Sequence, residues 1–311
     1  MELDDFFQPV ADINPKARVA ITGPAGVGKT FSAIRLANGL ADDGNGGLLG
    51  PIVVIDTEGN SAAKYRSMAP TLRSARPAQF AKVVKGADRI PLVENDPRLF
   101  IAGINAASTA AVIIVDSITH AWEGTKAIVD AAGDRERARA KEAGRSANPN
   151  TFALWKDAAP MWAALMDTIM NSPAHVIVTM RSKKHYVIEE GRNGRSAPRV
   201  VGMQPEAREG TDHTFDIVLD MTPDHIAEVS KTRMSALDGR QIDRPDEELG
   251  REIRAWLDSV AYTPPHIARL LELANARGAY GTGDKQINES KIRDWDTPTI
   301  MKAIARLESV E

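Results

Sequence analysis

The sequence has no cysteine, few aromatic residues, no excess of positive charge and no long hydrophobic run. The absence of cysteine excludes disulfides and thiolate metal sites, and it is typical of proteins that fold in a reducing compartment. The formal net charge is −3, so no overall basic surface attracts nucleic acid, and any such site must be local. The clearest apolar stretch, residues 110–115, is far shorter than the about 20 residues that a membrane helix needs.

The remaining composition is that of an ordinary globular protein, with 43% apolar and 26% charged residues. A chain of 311 residues can hold one large domain, alone or with a small appendage. The acidic stretch MELDDFF, residues 1–7, does not have the pattern of a signal peptide. We therefore expect a cytoplasmic protein that has no membrane partner.

The chain is organised around the stretch GPAGVGKT, residues 23–30, which matches G-x-x-x-x-G-K-[ST] at every fixed position. A short apolar run at residues 19–21 predicts a buried strand before it, and apolar residues at helical spacing follow it. Strand, glycine loop and helix, in this order, are the context that a phosphate-binding loop requires. The sequence therefore predicts a nucleotide-binding site.

The residue types of this loop suit a polyphosphate. Backbone N–H groups of such a loop form an anion nest, and the following helix adds its positive end. Glycines at Gly23, Gly26 and Gly28 leave room for the phosphates. Lys29 supplies a charge near the β and γ phosphates, and the Thr30 hydroxyl can ligate Mg²⁺. Their neighbours Pro24, Ala25, Val27 and Phe31 complete the predicted nucleotide-binding set.

Two carboxylates follow predicted buried strands. The run PIVVID, residues 51–56, is followed by Thr57 and Glu58, and the run AAVIIV is followed by Asp116. Carboxyl ends of parallel strands lie on the same rim as the phosphate loop. Glu58 is therefore the candidate base for the attacking water, with a solvated turn glutamate as the structural alternative. Asp116 has the Walker B pattern and is expected to reach Mg²⁺ opposite Thr30.

A third predicted strand, residues 175–180, leads into a basic segment. Thr179 lies at its rim and is a further candidate for the nucleotide site. Residues 181–199 contain six Lys or Arg and two Glu, with Tyr186 near the start. Cations for phosphates and a ring for bases are what a single-stranded nucleic acid needs, although an ordinary solvated hairpin explains the composition equally well. The candidate DNA contacts are Arg181, Lys183, Lys184, Arg192 and Arg195.

The chain closes with two predicted paired strands, residues 215–221 and 225–230, and then helices. Lys231 and Arg233 follow the second strand, and alternation places them on one face. From there they could reach a triphosphate held by an adjacent subunit. We expect a leader at residues 1–16, an ATPase core at 17–260 and a small helical domain at 261–311.

The order of these motifs resembles the core of RecA-like ATPases. IDTEG at residues 55–59 looks like the recombinase pattern in which the glutamate is the catalytic base. SKTR at residues 230–233 is similar to the K-x-R pair that recombinases and DnaB-like helicases insert into a neighbour's ATP site. VIIVDSITHAWEG (112–124), SPAHVIVTMRSKKHY (172–186) and the FDIVLDM…VSKTR region resemble phage-encoded nucleotide-binding proteins of the Sak-four type, which act in single-strand annealing and recombination.

This resemblance covers roughly residues 17–258. It implies an α/β fold, namely a RecA-like P-loop NTPase core with a mostly parallel sheet flanked by helices, plus a small C-terminal helical domain. It implies ATP and Mg²⁺ as cofactors. It assigns phosphate and Mg²⁺ to Gly28, Lys29, Thr30 and Asp116, general-base chemistry to Glu58, action in trans to Lys231 and Arg233, and DNA contact to the loop after Thr179. The strand end Thr179-Met180-Arg181 departs from the family by lacking its glutamine or histidine sensor.

The partners implied are further copies of the chain in a ring or filament, single-stranded DNA and a single-strand-binding protein. Two alternatives remain open. A ring-shaped helicase or translocase of the DnaB type shares every core motif. A nucleotide-gated assembly module that recruits DNA-processing partners would need the P-loop and little DNA chemistry.

Overall fold

The computed structural model describes residues 15–69, 71–84, 90–190, 196–260 and 265–281, together with 286–287, 292, 295 and 297–308. The strands are β1 (Arg18–Gly23), β2 (Ile52–Asp56), β3 (Arg73–Ala75), β4 (Val112–Asp116), β5 (His175–Glu190), β6 (Ser196–Pro205), β7 (Ile217–Met221), β8 (Ile226–Thr232) and β9 (Gln241–Asp243). The α-helices are α1 (Lys29–Ala41), α2 (Pro97–Ala106), α3 (Ile118–Glu142), α4 (Thr151–Met170), α5 (Glu247–Val260), α6 (Pro265–Ala276) and α7 (Thr297–Glu308).

The nine strands form one sheet in the order β3-β2-β4-β5-β1-β7-β8-β9, with β6 paired to β5. The strands from β3 to β7 in this order are parallel, whereas β8, β9 and β6 are antiparallel to their neighbours. Strand β5 lies between β1, which leads into the glycine loop, and β4, which ends at Asp116. The prediction of a RecA-like α/β core with a mostly parallel sheet is confirmed.

Alternate residues of the strands point to opposite faces, and each face has its own core. One cluster joins Val19 and Ile21 of β1 to α1 and α5. The other joins Ala20 of β1 to α2, α3 and α4 through residues such as Phe100 and Trp162. Because both faces are covered by helices, the central strands are continuous β-branched runs, as expected of a parallel sheet.

Residues 80–84 and 98–101 are short runs that the sequence allows as strands or as helical pieces, and the structure places helices there. Residues 77–83 form a 3₁₀ helix, and α2 spans Pro97–Ala106. The buried Asp96 caps α2 by accepting the Arg98 N–H at 3.0 Å, and Pro97 occupies the first turn where no donor is needed. The start of α2 is therefore set by the residues immediately before it and in its first turn, Asp96 and Pro97.

Strand β5 continues beyond the parallel sheet and turns into a hairpin. Its parallel pairing with β1 ends at Arg181, and from Ser182 it pairs with β6. The predicted basic hairpin is thus an antiparallel ribbon that extends from the rim of the sheet. Arg192 and Arg195 lie outside the described residues, and for Lys184 only the strand backbone is described.

Residues 16–257 form one compact unit, and the described part of residues 258–308 belongs to a second unit. Helices α6 and α7 pack through Leu270, Leu273, Ile300 and Ile304, together with Ile292. This packing is helical, as expected for the C-terminal segment, while the exact domain boundaries stay a prediction. No helix in the described part of the chain is long and apolar enough to cross a membrane.

A buried histidine and a buried arginine brace the amino edge of the sheet. The Arg18 guanidinium donates to the carbonyls of Met170 and Ala174 among others, and burial lowers its pKa to about 10, opposed by Asp216. His175 Nδ1 accepts the Ala17 N–H at 3.0 Å. Burial first, and then the nearby charges of Lys16, Arg254 and Arg18, lower the pKa of His175 to about 3.

This histidine makes stability depend on pH. The folded protein keeps His175 neutral, whereas the unfolded chain binds a proton below about pH 6.5, so stability is full above that pH and falls on acidification towards the folded pKa. The expected slope is up to about 1.4 kcal/mol per pH unit from this group. His175→Asn keeps an acceptor near the Nδ1 position and should flatten the decline between pH 7 and 5 in urea titrations. His213→Asn, at a side chain 82% exposed, is the control; equal slopes in wild type and His175→Asn would contradict the assignment.

Candidate nucleotide site

The glycine loop lies between the end of β1 and the start of α1. Gly28 precedes α1 in the left-handed region with φ 93°, and Gly26 has φ 84°. At Gly23 a Cβ would lie 2.8 Å from Met221 O and 2.9 Å from Val27 Cγ2. Only glycine allows the loop to leave the sheet so close to the end of β7. The strand, loop and helix predicted for a phosphate-binding loop are therefore all present.

Lys29 holds its charge over this loop. Its Nζ donates to Gly23 O at 2.9 Å and to Pro24 O at 2.7 Å. Burial lowers the pKa of Lys29, while the carboxylates of Glu58 and Asp116 oppose that shift. The ammonium group is thus held at the glycine loop by two hydrogen bonds to loop carbonyls.

Asp116 is buried, and its two oxygens receive hydroxyl donors from different elements. Thr30 Oγ1 donates to Oδ2 at 2.7 Å, and Thr179 Oγ1 donates to Oδ1 at 2.5 Å. Ser61 Oγ lies 3.4 Å from Oδ2. Burial raises the pKa of Asp116, and the bonds from Thr179 and Thr30 counteract this. The donor set of hydroxyl and carboxylate oxygens is the kind that Mg²⁺ prefers, so Thr30 and Asp116 fit the predicted metal site.

The turn after β2 is held rigidly beside Asp116. Asp56 accepts the N–H groups of Glu58 and Ala62 at 2.8 and 3.0 Å, which fixes the backbone on both sides of Glu58. Thr57 N donates to Asp116 O at 2.7 Å. The Glu58 carboxylate then forms an ion pair with Arg181 at 2.9 Å, with the two side chains 31% and 40% exposed. Glu58 is therefore oriented towards the same rim as the glycine loop.

Two contacts of this site were not anticipated from the sequence. Arg181, predicted as a DNA contact, binds Glu58, which lies 123 residues earlier in the chain. His225, in the turn between β7 and β8, has φ 65°, and its Nδ1 lies 3.0 Å from Val27 O. Neither partner can be found from spacing, because each contact joins segments that only the sheet order brings together.

Unpaired hydroxyls mark the same rim. Among the described residues, the buried side-chain oxygens without a hydrogen-bond partner are those of Ser117, Ser182 and Thr222. Ser117 and Ser182 follow the last residues that β4 and β5 contribute to the parallel ladder, Asp116 and Arg181, and Thr222 follows the last residue of β7, Met221. Buried hydroxyls are normally paired, so their concentration here indicates a polar occupant of this rim.

Lys231 and Arg233 lie at the opposite edge of the sheet. Thr232 pairs with Ile217, which pairs with Val19 near the start of β1. Thr232 therefore lies at the level of Val19, about 13 Å along the strand direction from Gly23. Lys231 Nζ donates to Asp212 O and His213 O at 3.0 Å each, and Arg233 pairs with Asp216 at 3.3 Å. The two cations are therefore not part of the glycine-loop cluster of their own chain.

A family model described as an AAA domain matches residues 15–244. The chain belongs to the AAA domain family. The match includes the glycine loop, Glu58, Asp116 and the hairpin, so this AAA-domain protein is a nucleotide-binding P-loop NTPase. No curated protein matches the sequence of this AAA-domain protein.

Removal of the Thr179 hydroxyl should lower the free energy of unfolding, because the buried Asp116 carboxylate loses a hydrogen-bond donor. Thr179→Val preserves shape but leaves Asp116 Oδ1 without this donor, which should cost about 1.5–3 kcal/mol of unfolding free energy. Thr168→Val is the control, because its hydroxyl donates to the Ala164 carbonyl at an exposed position. Urea denaturation measures both; a Thr179→Val loss no larger than the control's would contradict a stabilising bond.

Proposed function

We propose that this protein is an ATPase that binds single-stranded DNA, acts in annealing or recombination, and hydrolyses Mg-ATP at the interface between two subunits. The observation that carries the proposal is the convergence of Lys29, Thr30, Asp116 and Glu58 on one rim, tied through Arg181 to a basic hairpin. The likeness to phage proteins of the Sak-four type supports the DNA part of the proposal.

The residues at this rim have separate roles in the proposed phosphoryl transfer. The glycine loop and Lys29 bind and orient the polyphosphate, with Lys29 exchanging its two carbonyl bonds for phosphate oxygens. Thr30 and Asp116 would hold Mg²⁺, which neutralises charge on the β and γ phosphates when bound. Thr179 keeps the Asp116 carboxylate oriented. The set therefore positions the nucleotide and balances its charge.

Glu58 is the proposed general base. It accepts a proton from the attacking water, and its backbone is fixed by Asp56 as described above. The bond from Arg181 sets the direction of the carboxylate. Because Arg181 is also the last residue before the hairpin, a DNA phosphate bound at the hairpin would compete with Glu58 for this guanidinium. DNA binding and water activation would then be coupled through one side chain.

Lys231 and Arg233 are proposed to complete the site of a neighbouring subunit. They lie at the edge of the sheet away from their own glycine loop, and the Arg233 side chain is 63% exposed. A head-to-tail arrangement of copies, in a ring or a filament, would bring this edge to the next subunit's nucleotide. The partners we propose are therefore further copies of the chain, single-stranded DNA and a single-strand-binding protein.

Two other functions use the same core. A DnaB-like helicase or translocase would show directional strand displacement driven by ATP, whereas the proposed protein anneals strands without unwinding. An assembly module would bind single-stranded DNA weakly or not at all at low salt. A true phosphate contact weakens steeply as salt rises, so a salt series separates this module from the proposed function.

Lys29→Ala should abolish ATP turnover. The substitution removes the charge that faces the phosphates, and a loss of at least about a hundredfold in the steady-state rate is expected. Lys126→Ala, at an exposed lysine of α3, is the matched control and should turn over normally. Wild-type turnover by Lys29→Ala would refute the assignment of the glycine loop as the nucleotide site.

Arg233→Ala should stop ATP hydrolysis and leave nucleotide binding unchanged, because the proposed role of the Arg233 guanidinium is to contact the nucleotide of a neighbouring subunit. Arg240→Ala, which removes a similar surface pair with Glu252, is the control. A mixture of equal parts Lys29→Ala and Arg233→Ala subunits should regain about a quarter of wild-type turnover, since a quarter of the interfaces then have both groups. Normal turnover by Arg233→Ala alone would show that the site is self-contained.

A further inference from the structure

An aromatic groove of about 710 Å³ opens beside the nucleotide rim, and its described lining contains none of the predicted site residues. We define the aromatic groove by Trp122 of α3, by Phe152, Trp155 and Lys156 of α4, and by Arg208 after β6. Helix α3 begins two residues after Asp116, and Arg208 follows the returning strand of the hairpin. The groove therefore adjoins both the nucleotide rim and the base of the hairpin.

One ring of the groove is exposed, and the two tryptophan rings beside it are half-buried and pack on each other. Phe152 is 87% exposed, in the first turn of α4. Trp155 stacks on Trp122 with ring centroids 5.4 Å apart and an interplanar angle of 28°. Trp122 in turn contacts the edge of Trp162, which is 2% exposed and belongs to the core. Exposed aromatic surface of this kind is uncommon on a folded domain unless a partner covers it.

The charges of the groove are all positive. Lys156 and Arg208 are exposed, and neither forms an ion pair within the described part of the chain. No carboxylate is among the described residues that line the groove. An apolar peptide would have to bury these cations without counter-charges, whereas a phosphate backbone supplies the counter-charges directly.

We propose that the aromatic groove binds single-stranded DNA, with bases on the Phe152 and Trp155 rings and phosphates at Lys156 and Arg208. This inference rests on the proposed function and adds a site for the strand. Stacking on a ring is indifferent to base identity because every base has a π-face, so the groove would hold any sequence. The strand would run from the hairpin into the groove past Arg208.

The test separates stacking from charge by using two probes, a fluorescently labelled oligo(dT) and an abasic oligomer of equal length. Binding is measured by anisotropy with Mg²⁺ and a non-hydrolysable ATP analogue. Phe152→Ala should weaken oligo(dT) binding about tenfold and leave abasic binding unchanged, because only a base can stack. Leu49→Ala removes a 55% exposed apolar side chain elsewhere and should change neither.

The cations should behave in the opposite way. Lys156→Ala and Arg208→Ala should weaken both probes alike, and each should lower the slope of log K against log salt by about 0.7. Lys82→Ala removes an exposed lysine that does not line the groove and should leave both slopes unchanged. Thermal melting of every variant checks that the chain is folded.

The outcomes are distinct. If wild type binds oligo(dT) and Phe152→Ala binds it equally well, or loses both probes equally, the groove does not stack bases and only the inference fails. If Phe152→Ala changes sedimentation without losing DNA affinity, the groove is a contact between copies and the inference is overturned. If wild type binds neither probe at low salt, the proposed function fails together with the inference.

Discussion

The site depends on one buried carboxylate and the hydroxyls that donate to it. Asp116 ends β4, and its two oxygens bind Thr30 at the start of α1 and Thr179 at the end of the parallel part of β5. Strand β5 lies between β4 and β1, so these two bonds tie together three neighbouring elements at one edge. An unpaired carboxylate would be costly at this depth, and the bonds make its burial tolerable. The geometry of the glycine loop relative to the second carboxylate, Glu58, follows from this connection.

The two edges of the parallel sheet, where its strands end and where they begin, carry different functional groups. Its carboxyl edge has the glycine loop, Asp116 and Glu58, whereas its amino edge has Arg18, His175 and the cations at the end of β8. The chain therefore has the glycine loop on one edge of the sheet and the exposed Arg233 on the other. This division is a property of strand direction alone, and it explains why an isolated subunit would be a poor catalyst if the proposed assembly is correct.

Local patterns in the sequence were sufficient for the central strands and the glycine loop, but not for the short edge strands β3 and β9. The α/β core is confirmed because β-branched runs and the P-loop each depend on neighbours within a few residues. The sequence did not decide between strand and helix for residues 80–84 and 98–101, because short apolar runs do not distinguish the two. The roles assigned to Glu58, Lys231 and Arg233 stay predictions, as do the DNA contacts. Two features could not be predicted from local patterns: the ion pair of Arg181 with Glu58, and the groove lined by Trp122, Phe152 and Arg208. Both bring together segments that are distant in the sequence, and only the order of the strands makes them neighbours.

Strand β5 has one consequence for communication across the molecule. A single uninterrupted ribbon passes from the centre of the sheet, through Thr179 and Arg181, into the hairpin that pairs with β6. The ladder shifts register between His185 and Tyr186, which is where the ribbon bends most readily. Thr179 and Arg181, on the inner part of the ribbon, donate hydrogen bonds to Asp116 and Glu58. A displacement of the hairpin would therefore reach both carboxylates through continuous strand backbone, with no loop between.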